Sequence, residues 1–334
     1  MIDFIFALIA LLCWSGSDLF SKMGTSQKDK QSHWRVVFAV GAIMGIHAIL
    51  TLIVSPFLPE TTPEWIKTIL YTDFKPVDFL YYLPVASIYI IAMVFGYIGL
   101  RYIELSVSSP ICNSSGSLAL LICCIVGWAT LDGFTIVGVV LITLGIVGLG
   151  VVEYRENAEA KLARQDKSQF KYTKSLIAIL IPIIYLFLDA LGTVGDQMIS
   201  EFELFEMSDY ASNTAFEFAF VLFAIFAFVW VKFVKKEKFF TLAENQINED
   251  GTVKKLSRKK ALILGATCET VGQMFYMAVM FSDFSAGMPM ISAYCVLSVV
   301  WSRIFLKEKL SIWHYGAIAL TFIGIILLGI FSPV

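Results

Sequence analysis

Four carboxylates sit inside stretches of sequence otherwise suited to hydrocarbon: Asp18, Asp189, Glu217 and Glu269. A charged side chain near the centre of a bilayer costs about 2.5–3.5 kcal/mol on insertion scales, so each asks for a compensating role. Burial favours the neutral form of a carboxyl group and a visiting cation favours the charged form. Such groups can therefore carry protons, bind cations, or do both. The plainer alternative for each is a protonated carboxyl bonded to a neighbouring helix. For Asp18 there is also an ion pair with Lys22, one helical turn on. Glu269 carries the strongest signal, because with Gln273 and Tyr276 it forms an i, i+4, i+7 stripe on one helical face.

Aromatic rings accompany these acids. Trp14 and Tyr185 stand one turn before Asp18 and Asp189, and Tyr89, Tyr276 and Tyr294 add three more rings. A carboxylate edged by aromatic faces suits an organic cation. Aromatic residues make up 14% of the chain, so any one ring serves equally well as packing. Asn113, Ser114, Ser115 and Ser117 follow Pro110, and Ser292 occupies the position equivalent to Asn113. Polar groups there either touch a substrate or cap the free N–H groups of a helix start. His47 is either a proton relay or a satisfied neutral histidine, and His314, at the start of the last apolar stretch, reads as interfacial. All six cysteines lie in apolar stretches at irregular spacing, which reads as packing, and no metal or cofactor is expected.

The elements that must position these groups are ten apolar stretches, over residues 2–23, 35–55, 79–99, 106–127, 133–152, 174–194, 211–231, 261–281, 285–305 and 312–332. Each is long enough to cross a hydrocarbon core of about 30 Å as a helix. Alternate loops carry four, one, six, nine and three of the 25 basic residues, and the remaining loops carry two. Positive charge marks the cytoplasmic side, so both termini are expected outside. The sixth loop, with Asp196, Glu201, Glu203, Glu206 and Asp209, agrees with that orientation. The composition, 58% hydrophobic and 16% charged, is that of a multi-pass protein of the cell membrane and offers nothing to nucleic acid. The first stretch lacks a basic leader and a small-residue cleavage site and reads as a retained helix. The 232–260 loop, with basic ends, reads as a cytoplasmic tether drawn to anionic lipid.

The two halves echo each other. YIGLRYIELSVSSP (Tyr97 to Pro110) returns as YMAVMFSDFSAGMP (Tyr276 to Pro289), 179 residues later and without a gap. Trp14 and Asp18 are matched by Tyr185 and Asp189, and Gly138 and Thr143 by Gly316 and Thr321. Five helices per half is an odd number, so the halves, 1–153 and 174–334 joined by a basic linker at 154–173, must be inserted upside down to each other. Inverted repeats are a common architecture of secondary transporters, with the site near mid-membrane between them.

WSGSDLFSK (Trp14 to Lys22), the short connection ending in Pro110, and LKEKLSIWHYGAIALTFIGIILLG (Leu306 to Gly329) resemble EamA-type members of the drug/metabolite transporter superfamily. The resemblance implies a basket of helices around a central cavity, with the fifth and tenth peripheral. Asp18, in place of a commonly neutral residue, and the long basic 232–260 loop depart from that pattern.

These readings together describe an all-α membrane protein of ten transmembrane helices, working as a secondary transporter and not as an enzyme. The expected solute is a cationic or amine-bearing metabolite, carried by proton coupling or exchange. Neutral or zwitterionic metabolites such as amino acids are the alternative. Binding falls to Glu269, Gln273, Tyr276, Trp14, Asp18, Tyr185, Asp189, Asn113, Tyr89, Tyr294 and Ser292, and proton coupling to Glu269, Asp18, Asp189, Glu217 and His47. Two intramembrane aspartates also invite comparison with an aspartyl protease, but the Gly-x-Gly-Asp context is missing around both. No phosphate-binding loop is present to drive transport by ATP. Gly145, Gly148 and Gly150 offer a close-packing face to another helix, including one from a second copy.

Overall fold

Apolar runs of this length cannot leave backbone groups unbonded in hydrocarbon, so each closes its own hydrogen bonds as a helix. The computed structural model describes residues 2–128, 133–156, 158–165, 176–200, 205–240, 256–280 and 291–331, and among them there is no strand. Eight helical segments are long and apolar enough to cross a membrane, and two shorter apolar helices lie towards the C-terminus. In chain order the helices are α1 (Ile2–Gly24), α2 (Ser32–Val54), α3 (Glu64–Leu70), α4 (Pro76–Gly99), α5 (Leu105–Cys112), α6 (Ser115–Val126), α7 (Gly133–Arg155), α8 (Ala158–Arg164), α9 (Leu176–Ser200), α10 (Asp209–Val229), α11 (Arg258–Met280), α12 (Tyr294–Trp301) and α13 (Ile312–Phe331).

Local chemistry sets several boundaries. Pro76 opens α4, and Asp78 accepts the Lys75 N–H at 2.7 Å to close its first turn. The Ser208 hydroxyl caps α10 by accepting from the Ala211 N–H at 3.1 Å. Gly127, at φ +87°, ends α6 in the left-handed conformation open to glycine. The acidic loop is shorter than its composition suggests, because α9 runs on to Ser200 and carries Asp196 inside the helix. Residues 201–204, 166–173 and 241–255, which belong to that loop, the linker and the basic tether, lie outside the described residues.

One apolar stretch is broken. Residues 106–127 form two helices, α5 and α6, which meet at a turn through Asn113 and Ser114. The later stretch, 285–305, shows a turn at Ala293 before α12, which continues as a π-helical turn over Ser302–Leu306.

Packing pairs one half of the chain with the other. The most extensive contacts are α1 with α11, α7 with α13, α2 with α10, and α4 with α9. The main core joins α1, α2, α4, α10 and α11 through residues such as Val36, Val40, Ile90, Phe220 and Leu262. Glycines allow the closest approaches. A Cβ on Gly41 would lie 2.4 Å from the Phe220 carbonyl oxygen, and one on Gly145 would lie 2.1 Å from Thr321 Oγ1. Gly145, Gly148 and Gly150 therefore face Thr321, Ala317 and Ile179 of the same chain, and that face is already occupied.

A polar belt closes the end rich in Lys and Arg. Lys22 is fully buried and donates to the carbonyls of Leu100 (2.5 Å) and Ile103 (2.7 Å). Glu308 caps α5 by accepting from the N–H groups of Leu105 and Ser106, both at 3.2 Å, and burial pushes its carboxyl above the ordinary range. The linker helix α8 docks here. Lys161 reaches Glu153 (2.6 Å) and Glu104 (3.3 Å); burial opposes its charge, but these two acids together hold its pKa above the usual lysine value. His314 is wholly buried and bonded to Glu153 at 3.1 Å, so it belongs to this belt and not to an interface.

Candidate functional site

Three of the four predicted acids lie between helices of the two halves, and among the described residues each accepts hydrogen bonds from hydroxyl groups alone. Asp18 of α1 accepts from Ser109 of α5 at 2.6 Å and from Ser298 of α12 at 2.7 Å, both on Oδ2. Asp189 of α9 accepts from Ser115 of α6 at 2.5 Å, and Tyr185 stands one turn earlier on the same face. Glu269 of α11 accepts from Ser17 of α1 at 2.6 Å on Oε2. The ion pair of Asp18 with Lys22 does not form, since the two turn to different partners. All three acids are half-buried between helices of the bundle.

Two of the serines that hold Asp18 and Asp189 flank the break between α5 and α6. Ser109 and Ser115 lie on opposite arms of the turn, so one reaches α1 and the other reaches α9. Ser115 is also the first residue of α6, where free N–H groups and the helix dipole favour the negative charge of Asp189. Asn113 forms the corner, and its Nδ2 is buried without an acceptor. Ser292 lies half-buried at the equivalent turn before α12, where its carbonyl meets Cys295 Sγ at 3.8 Å.

Aromatic rings stand near the same acids. The Trp14 ring lies 5.0 Å from Tyr276 and 5.7 Å from Tyr294. Gly272, on the Glu269 helix, admits the indole, since a Cβ there would stand 2.5 Å from Trp14 Cδ1. Tyr294 faces the charges of Asp18 and Glu269, and Tyr185 those of Asp189 and Glu269. Tyr89 is set back: its hydroxyl donates to Thr193 at 3.3 Å, and its ring packs over Gly192.

Counted at 1.5 Å per residue from each helix's basic end, Asp18, Glu269 and Asp189 stand about 9, 16 and 20 Å deep. Asp196, about 30 Å along α9, extends the series to the far end. It accepts from Tyr82 at 2.7 Å and faces Tyr89 and Tyr276. Its spacing, seven residues beyond Asp189, puts it on the same helical face and was the signal available in the sequence.

The remaining two predicted residues form a separate pair. His47 of α2 meets Glu217 of α10 through Nδ1, at 2.7 and 2.9 Å, and both side chains are buried. The other ring nitrogen donates to the Ile69 carbonyl at 2.8 Å, in the short helix α3. Asn213, one turn before Glu217 on α10, lies between this pair and the site and accepts from Gln273 Nε2 at 3.2 Å. Ser17, Ser109, Ser298 and Asn213 were not singled out from sequence, because a small polar residue in an apolar helix carries no mark of what it faces.

Among the described residues one further cluster, Glu153, Glu156 and His314, has spacing that could hold a metal ion. Its acids are already engaged by Lys161, Arg164 and the histidine itself. No known protein-family profile matches this chain, and no curated relative matches it.

Proposed function

We propose that this protein is a secondary transporter of small organic solutes that bear an amine or other cationic group. The observation that carries this reading is the set of three half-buried carboxylates that take only neutral donors among the described residues. Hydroxyl donors satisfy lone pairs but leave the charge uncompensated, so a cation or a proton is the natural complement. Among the described residues no group donates to Glu269 Oε1 or Asp18 Oδ1, and Trp14, Tyr276 and Tyr294 add faces suited to a cation.

The packing supports the inverted-repeat reading of ten spans. A two-fold axis in the membrane plane would bring α2 to α10 and α7 to α13, and would exchange the α1–α11 pair with the α9–α4 pair. Those are the extensive contacts of the bundle. Membership of the drug/metabolite transporter superfamily rests on the sequence motifs, as does placement in the cell membrane with both termini outside. Asp18 and Asp189 each engage their own serines, which favours a transporter over a protease dyad sharing one proton.

A second reading has an observation of its own. Trp14 Nε1, Tyr97 OH and Asn113 Nδ2 are buried donors without an acceptor. Leaving such groups unbonded costs about 1–3 kcal/mol each, and a solute that also carries an acceptor oxygen would relieve it. Zwitterionic metabolites meet that demand.

The test is uptake of phenethylammonium by proteoliposomes, alongside thermal melting of the detergent-purified protein with the same amine. Wild type should show saturable uptake and a raised melting temperature. Glu269→Gln should lose both while melting normally without ligand. Uptake by Glu269→Gln at the wild-type rate, or no effect of any organic amine on wild type, overturns the proposal.

A further inference from the structure

The Glu269 helix carries a second polar group whose orientation the surrounding network dictates. The Ile69 carbonyl can only accept, so the His47 Nε2 facing it at 2.8 Å carries a hydrogen. His47 Nδ1 lies against the Glu217 carboxyl at 2.7 Å. Whether that pair is charged or has passed its proton to the carboxyl, one Glu217 oxygen remains an acceptor. Asn213 stands one turn before Glu217 on the same face of α10, where an i, i+4 amide can turn its NH2 towards that oxygen. Its Oδ1 is then the atom facing α11, and it accepts from Gln273 Nε2 at 3.2 Å. With Nε2 committed, Gln273 has its carbonyl oxygen left to offer. The side chain is half-buried, and that oxygen takes no bond from the described residues.

Gln273 follows Glu269 by one turn on the same face, and Tyr276 and Trp14 lie beside them. A carboxylate and an amide carbonyl about 5–6 Å apart along a helix form a pair of acceptors. A quaternary ammonium satisfies the charge of the first but has no hydrogen for the second. We propose that Gln273 is a specificity-determining residue, held carbonyl-inward by the His47–Glu217–Asn213 chain, and that it selects amines bearing N–H over quaternary ammonium. This rests on the amine-transport reading above. It goes further by naming the hydrogen-bonding class of the cationic head and by assigning Asn213 and Glu217 as positioning residues.

The test compares phenethylammonium with its N,N,N-trimethyl analogue, by thermal-shift titration of the full-length protein in detergent at one pH. Both carry the same charge and ring, and only the first can donate. Wild type should bind the primary amine more tightly. Gln273→Met should weaken the primary amine about tenfold, the loss of one hydrogen bond to a charged group, and leave the trimethyl analogue within about twofold. Asn213→Leu should do the same, because it frees the Gln273 amide to rotate. Should Asn213→Leu fail to fold, Gln273→Met leaves the His47–Glu217–Asn213 chain intact and decides the matter alone. Equal wild-type affinity for the two ligands, or equal weakening of both in Gln273→Met, overturns the inference while Glu269→Gln can still abolish binding of either. If Glu269→Gln leaves both affinities unchanged, it is the amine-transport reading that fails.

Discussion

At the scale of single residues, the chain uses charge in two ways. Inside the bundle, Asp18, Asp189 and Glu269 are held by hydroxyls and remain chemically available. At the basic end, acids are consumed by structure. Asp29 receives Arg258 at 2.9 Å and Arg35 at 3.0 Å. Burial alone would raise its carboxyl, but the two guanidinium groups hold it below the ordinary aspartate range. A depressed folded pKa stabilises the fold above the unfolded value of about 3.9, and the contribution disappears as pH falls through the folded value. Asp29→Asn should therefore cost about 3 kcal/mol at pH 7, the low end for removing one partner of a buried pair. Melting curves against pH should show wild type and variant converging below about pH 4. A constant gap down to pH 3 would mean that packing, not charge, holds that corner.

At the scale of elements, the broken fourth stretch and the glycine crossings do the positioning. A continuous helix over residues 106–127 would place Ser109 and Ser115 about 9 Å apart along one axis. They lie on either side of the turn at Asn113–Ser114 and bond acids on helices from different halves. The α2–α10 crossing is closed by Gly41, whose added Cβ would meet the Phe220 carbonyl and Ala224 Cβ, at 2.4 and 2.7 Å. Gly41→Ala should destabilise by about 1–3 kcal/mol through overpacking. It should also loosen His47 against Glu217, which bridge the same two helices. Gly316→Ala is the matched control. A Cβ there meets open space, so the better helix propensity of alanine should leave the melting temperature equal or higher. Equal losses in the two variants would show that the crossing tolerates a methyl group.

At the scale of the whole molecule, the contacts between halves join elements far apart in sequence, and Asp18, Asp189 and Glu269 lie on helices paired in those contacts, α1 with α11 and α4 with α9. Alternating access requires one end of such a site to be closed while the other opens. The belt of Lys22, Glu104, Glu308, Lys161 and Glu153 ties the chain together at the basic end. The positive-inside rule places that end in the cytoplasm. Single-cysteine variants at two exposed positions check this in sealed cells: Lys28→Cys should resist an impermeant maleimide until the membrane is opened, and Glu60→Cys should react at once. The reverse pattern would invert the orientation of the chain.

What the sequence determined by itself follows from the solvent. Runs of apolar residues about twenty long have one stable backbone form in hydrocarbon, so helix existence and approximate extent are legible, from Ile2–Gly24 to Ile312–Phe331. The cost of an intramembrane charge is equally local, which is why Asp18, Asp189, Glu217 and Glu269 stood out. Tertiary structure alone decided who faces whom. It separated Glu217 and His47 from the other acids and turned Lys22 away from Asp18. It drew Asp196 into α9 and recruited Ser17, Ser109 and Ser298 as donors. Serine in an apolar helix is cheap to bury and as readily bonds its own backbone, so its partner is set by the rotation and depth of the neighbouring helix. That rotation depends on steric fit across the whole interface and on glycines such as Gly41 and Gly272, whereas the break at Asn113 falls where Pro110 and the Asn-Ser-Ser run offered a helix start.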